Sequence, residues 1–142
     1  MVAFEKMYAL QERTGLKEKK KFICDNASDA DFQKLLFYAL NPMLTYKISE
    51  ERLRREIQKC TMGDRPGSVS EYPFSNIVEC LDYLSGLRGM DDSTVRQVAA
   101  FLCFFFEKRA RELYVRIISK TLRLGVTAKT VNEVIPNLLP EW

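Results

Sequence analysis

The residues best placed to do chemistry lie near the end of the chain, in the run Arg123-Leu124-Gly125-Val126-Thr127-Ala128-Lys129-Thr130. That chemistry is anion binding. A helix is expected to end at Gly125 and another to begin near Thr127. The first four N–H groups of a helix lack internal acceptors and carry positive partial charge. With Thr127 as the cap, the amides of Ala128, Lys129 and Thr130 point outward and can hold one phosphate. Gly125 lets the backbone turn and come close to a partner. Arg123 and Lys129 add charge on either side, and Thr127 or Thr130 adds a hydroxyl. The same residues also describe a capped helix corner with no ligand, and no G-x-x-x-x-G-K-[ST] loop occurs in the chain.

A second group of cations precedes the turn. Arg109, Arg116, Lys120 and Arg123 fall at offsets of 0, 7, 11 and 14 residues. On one continuous helix they share an arc of about 60°. Residues 105–130 hold seven Lys and Arg against two Glu, whereas the whole chain has a net charge of only +3. A local excess of this kind attracts an anionic partner, although a solvated basic face would look the same.

Other chemistries find little support. There is no histidine, which removes Ser-His and Cys-His nucleophilic sites and histidine-containing zinc sites. Cys24, Cys60, Cys80 and Cys103 are widely spaced, without a C-x-x-C, and read as isolated thiols. Asp91-Asp92 and Glu50-Glu51 suit helix starts better than an acid/base pair. No apolar run reaches the roughly 20 residues of a membrane span, and the N-terminus lacks the basic-then-apolar arrangement of a secretory signal. A cytoplasmic protein without a membrane partner is expected.

The elements that must position the turn are helical throughout. Residues 2–13 form a first helix that stops at Thr14-Gly15, and Leu16 to about Asp25 a second. The run Lys17-Glu18-Lys19-Lys20-Lys21 within the second reads as a solvated face or a secondary contact to a phosphate backbone. Asn26 or Ser28 should cap a third helix, carrying Phe32, Leu35, Leu36 and Ala39, that ends at Asn41-Pro42. Residues 43–48 form an irregular connector, and Ser49 caps a helix to about Cys60. Residues 61–72 form the longest loop. Pro73 opens the next helix, with Ile77, Val78, Leu81 and Leu84 inward and an end at Gly86 to Gly89. Asp91, Asp92 or Ser93 caps a helix whose Leu102-Cys103-Phe104-Phe105-Phe106 is apolar all round, so it should be the central buried one. The pattern restarts near Arg109 and runs to Leu124, with Ala110, Leu113, Tyr114, Ile117, Ile118 and Leu124 on one face. The expected fold is all-α, a single compact domain of about seven or eight helices over residues 1–142.

The final segment, Leu122-Arg123-Leu124-Gly125-Val126-Thr127-Ala128-Lys129-Thr130-Val131-Asn132-Glu133-Val134-Ile135-Pro136 and then Leu138-Leu139-Pro140-Glu141-Trp142, resembles the end of the N-terminal DNA-binding domain of phage-type ATP-dependent DNA ligases. The family pattern there is close to D-L-x-x-G-[VA]-[ST]-x-x-T-[IV]-N-K-V-x-P-x-L-I-P-E-[FQ]. The likeness is strong over residues 74–142 and weak but collinear before them. Glu133 departs from it where the family has a lysine, and Thr121 stands near the usual aspartate.

The resemblance implies an all-helical domain that grips the phosphates and minor groove of nicked duplex DNA without sequence preference. Its site would comprise Arg116, Lys120, Arg123, Gly125, Thr127, Ala128, Lys129 and Thr130. The family's adenylated K-x-D-G lysine lies downstream of the Pro-Glu-aromatic sequence, and no K-x-D-G occurs in this chain. The resemblance therefore implies no catalytic residue, cofactor or metal here. ATP and Mg would belong to a nucleotidyltransferase domain, followed by an OB-fold domain, that this chain lacks. The expectation is a monomeric domain of such a ligase that meets its catalytic domain through residues 138–142. The alternative is a free-standing prophage protein-interaction module that uses those residues as a handle.

Overall fold

In a computed structural model, residues 2–61, 75–87 and 91–139 are described. They contain eight helices and, among the described residues, no strand. The all-α expectation holds. The helices gather into two compact units.

The first unit is Met1–Leu44 with Leu122–Trp142. It contains α1 (Ala3–Glu12), α2 (Leu16–Asp25), α3 (Ala30–Leu40) and α8 (Ala128–Val134). Helix α1 packs on α2 and α3, and α2 packs on α8. Its core holds Met7, Leu10, Ile23, Phe32, Leu35, Leu36 and Val131, all essentially buried. Phe22 meets Phe32 edge to face with ring centres 6.0 Å apart, a geometry that sets a positive ring edge against a negative face. The cap of α3 is neither Asn26 nor Ser28. Asp29 takes that place, accepting from the amides of Asp31 at 3.0 Å and Phe32 at 3.2 Å. Its other oxygen lies 2.6 Å from the Lys6 ammonium, which ties α1 to the start of α3. Lys6 is the main reason that the Asp29 carboxyl titrates below its ordinary range. A carboxylate with a second partner outcompetes a nearby amide or hydroxyl for the same cap.

The second unit is Thr45–Thr121, with α4 (Glu50–Thr61), α5 (Ile77–Ser85), α6 (Asp92–Phe105) and α7 (Lys108–Ser119). Helix α6 is central, as its apolar sequence requires: α4 and α7 both pack on it, and α4 also meets α7. Val95, Val98, Ala99, Phe101 and Leu102 of α6 are buried. Phe106 sits between Phe101 and Tyr114, with ring centres 5.2 and 4.9 Å away. Arg54 of α4 binds Glu50 at 3.2 Å and Glu112 of α7 at 2.5 Å. Ser49 and Asp91 cap α4 and α6 as expected, accepting from Arg52 N at 3.1 Å and Thr94 N at 2.7 Å. Helix α5 begins at Ile77, with Asn76 as its cap. Pro73, most of the 61–72 loop and Gly89 lie outside the described residues.

Tyr46, on the connector between the third and fourth helices, is 3% exposed. Its hydroxyl has no hydrogen-bond partner among the described residues, and burial raises its pKa. A buried hydroxyl without a partner costs about 1–3 kcal/mol of desolvation. Tyr46→Phe keeps the ring and removes that cost. We expect it to raise the unfolding free energy by about 1 kcal/mol, read as a higher urea midpoint at unchanged slope. A lower midpoint would mean that the hydroxyl is satisfied after all. The neighbouring Cys80 thiol, also buried, is pushed up to about 12 and is unreactive. Cys24 is exposed, Cys60 is buried and Cys103 is half-buried, none of them in a disulfide.

Candidate nucleic-acid interface

The expected basic stripe does not form as a single helical face. Helix α7 stops at Ser119, five residues before Leu124, where the periodicity placed its end. Lys120 adopts the left-handed conformation, φ 61° and ψ 35°. The Thr121 amide then reaches back to the Arg116 carbonyl at 2.9 Å, which closes the helix end in the manner of a Schellman turn. The Thr121 hydroxyl donates to Glu50 Oε1 at 2.6 Å, and this bond is the main reason that the Glu50 carboxyl titrates low. Only Arg109 and Arg116 therefore remain on α7. Lys120 follows its end, and Arg123 belongs to the other unit. Burial pulls the half-buried Lys120 ammonium down to about 8, so near pH 7 it remains mostly charged.

In the first unit, the segment before Gly125 is held from behind. Two consecutive carbonyls are bound by side chains from α1 and α2. Gln11 Nε2 donates to Arg123 O at 2.8 Å, and Lys19 Nζ donates to Leu124 O at 2.7 Å. The same ammonium donates to Leu10 O and Gln11 O, each at 3.2 Å. These belong to the last turn of α1, where helical carbonyls run short of internal donors, and Leu10 O also accepts from the Arg13 amide at 3.2 Å. Lys19 is 9% exposed. It is therefore not part of a solvated face, as the charge run implied, but an internal clamp. Its position three and four residues before the buried Phe22 and Ile23 is the helical signal that could have identified it.

Gly125 has φ +76°, a backbone conformation that costs other residues energy. A Cβ placed there would stand 3.1 Å from Lys19 Cε and 3.2 Å from its Nζ. The close approach that the glycine permits is thus made by the protein's own lysine. Leu124 and Val126 are buried on either side.

Thr127 caps α8 as expected, accepting from the Thr130 amide at 3.3 Å. Its hydroxyl lies 3.3 Å from that of Thr130, which is 9% exposed, so the Thr130 side chain offers little surface to a ligand. Arg123, Thr127 and Lys129 are exposed and Ala128 is half-buried. The structure thus brings Arg123, Gly125, Thr127, Ala128, Lys129 and Thr130 into one local segment of the first unit. Arg116 and Lys120 form a separate pair in the second.

Glu133, where the ligase-like pattern has lysine, is also engaged. Its Oε2 lies 2.5 Å from Lys20 Nζ of α2. Asn132 is a staple for the chain beyond α8. Its amide donates to Leu139 O at 2.7 Å and its oxygen accepts from Leu139 N at 2.9 Å. Leu139 is 4% exposed, so this part of the expected handle is buried in its own unit. Pro140, Glu141 and Trp142 lie outside the described residues. A depression of about 150 Å³ by α2 is lined by Arg13, Glu18, Lys21, Phe22 and Asp25, a mixture of signs that selects no anion. No helix among the described residues is long and apolar enough to cross a membrane.

No protein-family model matches this chain, and no curated protein is significantly similar to it.

Proposed function

We propose that the protein binds duplex DNA through its phosphates without reading sequence, as the DNA-binding arm of an ATP-dependent DNA ligase. The observation that carries this reading is the 123–130 segment: two exposed cations, Arg123 and Lys129, flank a glycine turn whose preceding carbonyls are held by Gln11 and the buried Lys19. A backbone held this firmly presents its cations with little ordering left to lose on binding. The resemblance of residues 122–142 to the end of the ligase domain supports the same reading. In this proposal Arg116 and Lys120 supply further phosphate contacts. Nucleotide transfer, with ATP and Mg, belongs to a catalytic domain and not to these residues. The rival reading, a protein-interaction module with the tail as its handle, is weakened by the burial of Leu139.

Binding of a fluorescent duplex oligonucleotide across a salt series tests the proposal. Neutralising three to five phosphates gives a log–log slope of roughly −3 to −4.5. Lys129→Glu should weaken binding about tenfold near 0.1 M salt and reduce the slope by about 1, with the helical circular dichroism unchanged. Arg116→Glu and Lys120→Glu should each do the same. A slope near zero for the parent protein would remove duplex DNA as the ligand. Full affinity in Lys129→Glu would take the turn out of the site, and full affinity in both other variants would take out the α7 pair.

A further inference from the structure

The charge run on α2 meets α8 at one carboxylate. Lys20 Nζ and Glu133 Oε2 are 2.5 Å apart, with 37% and 47% of their side chains exposed. Lys129 precedes Glu133 by four residues on α8, a spacing that puts the two on one helix face. Lys20 first and then Lys129 hold the Glu133 carboxyl below its ordinary range. Glu133 is thus paired with the Lys20 ammonium of α2 and lies within electrostatic reach of Lys129 on its own helix, and the two helices pack together. Lys17 and Lys21, both exposed, flank Lys20 on α2.

We propose that Lys20, Glu133 and Lys129 form a phosphate-exchange site, in which the Glu133 carboxylate occupies, in the free protein, the place that a DNA phosphate takes between the two lysines. This rests on the duplex-binding reading above. A carboxylate and a phosphodiester each carry one negative charge on two equivalent oxygens, so one can replace the other on the same donors. Exposed ion pairs of this type add little to stability, and this one opens at small cost. While closed, it neutralises one of the two lysines and weakens binding to any single phosphate. A duplex, with one charge per roughly 1.7 Å of axis, competes better than a free anion. Glu133 therefore acts as a threshold that favours polyanions over mononucleotides.

The test uses the full chain and a fluorescent duplex across a salt series centred on about 0.1 M. Glu133→Gln is expected to bind the duplex about three- to tenfold more tightly, with a salt slope steeper by about 1. Adding Lys20→Gln to that variant should cancel the gain. Asp31→Asn, which removes the same charge from an exposed residue in the first turn of α3, outside the Lys20–Glu133 pair, should change affinity less than about twofold. An affinity unchanged or weakened by Glu133→Gln overturns the exchange site while the parent still binds. So does a gain that survives Lys20→Gln, or an equal gain from Asp31→Asn. If neither the parent nor Glu133→Gln binds the duplex, both this proposal and the DNA-binding reading fail.

Discussion

Lys19→Met is expected to lower the unfolding free energy by about 2–4 kcal/mol, a loss of stability far larger than that from any other lysine on α2. Methionine keeps the length and apolar stem of the side chain, so packing changes little. What disappears is the ammonium that donates to Leu10 O, Gln11 O and Leu124 O. Hydrogen bonds to a charged group contribute about 1.5–3 kcal/mol each, and the buried Leu124 O left behind costs further desolvation, while Leu10 O keeps the Arg13 amide. Burying the charge in the parent protein offsets part of this, which is why the expected loss is smaller than three such bonds. At this chain length the thermal midpoint should fall by about 10 °C. The neighbouring Lys17 and Lys21 are exposed, and their methionine variants should stay within about 0.5 kcal/mol of the parent. A loss below about 1 kcal/mol for Lys19→Met would show that water replaces the ammonium and that the clamp is dispensable.

Gly125→Ala is expected to cost about 2–4 kcal/mol, from two sources that can be separated. The backbone part comes from φ +76°, where an L side chain pays about 1–2 kcal/mol. The steric part comes from a Cβ 3.1 Å from Lys19 Cε and 3.2 Å from Nζ. Lys19 would have to retreat by a few tenths of an ångström, at the expense of its 2.7 Å bond to Leu124 O. Shortening the lysine removes the obstacle. In a Lys19→Ala background the alanine at 125 should cost only the backbone part, leaving a coupling of about 1 kcal/mol or more between the two sites. Additive losses would show that the side chain of Lys19 yields freely and that only the torsion matters. Because Gly125 lies between Arg123 and Lys129, the same substitution should also weaken duplex binding, separably from stability when affinity is measured well below the thermal midpoint.

What could be read from the sequence was local. The helix starts at Ser49, Asp91 and Thr127 depend on one side-chain oxygen meeting an amide two or three residues on, and each is present. The α7 face of Ala110, Leu113, Tyr114, Ile117 and Ile118 follows from the 3.6-residue period and is buried as expected. In α6, Val95, Val98, Ala99 and Leu102 are buried, while Cys103 and Phe106 of the stretch expected to be apolar all round are only half-buried, and the connector after Asn41 is irregular as expected.

The end of α7 could not be read. No glycine or proline stands at residue 120, and the nearest breaker was Gly125. The helix nonetheless stops at Ser119, with Lys120 left-handed and the Thr121 hydroxyl held by Glu50, a residue 71 positions away. That one displacement dissolved the four-residue basic stripe. Lys19 was hidden by its surroundings: four lysines in five residues look solvated, although its register with Phe22 and Ile23 pointed inward.

By itself, then, the sequence determined the helical class, the places where most helices begin, the capped turn at 125–130 and the cations available to face an anion. Only the tertiary structure decided which of those cations are spent internally. Lys19 is buried against three carbonyls and Lys20 is paired with Glu133, while Arg123 and Lys129 stay exposed. The physical reason is range. A cap or an amphipathic face is settled within one or two turns of chain. The partner of a charge or a carbonyl is whatever the fold brings within hydrogen-bond reach, here Leu124 O set against a lysine 105 residues earlier.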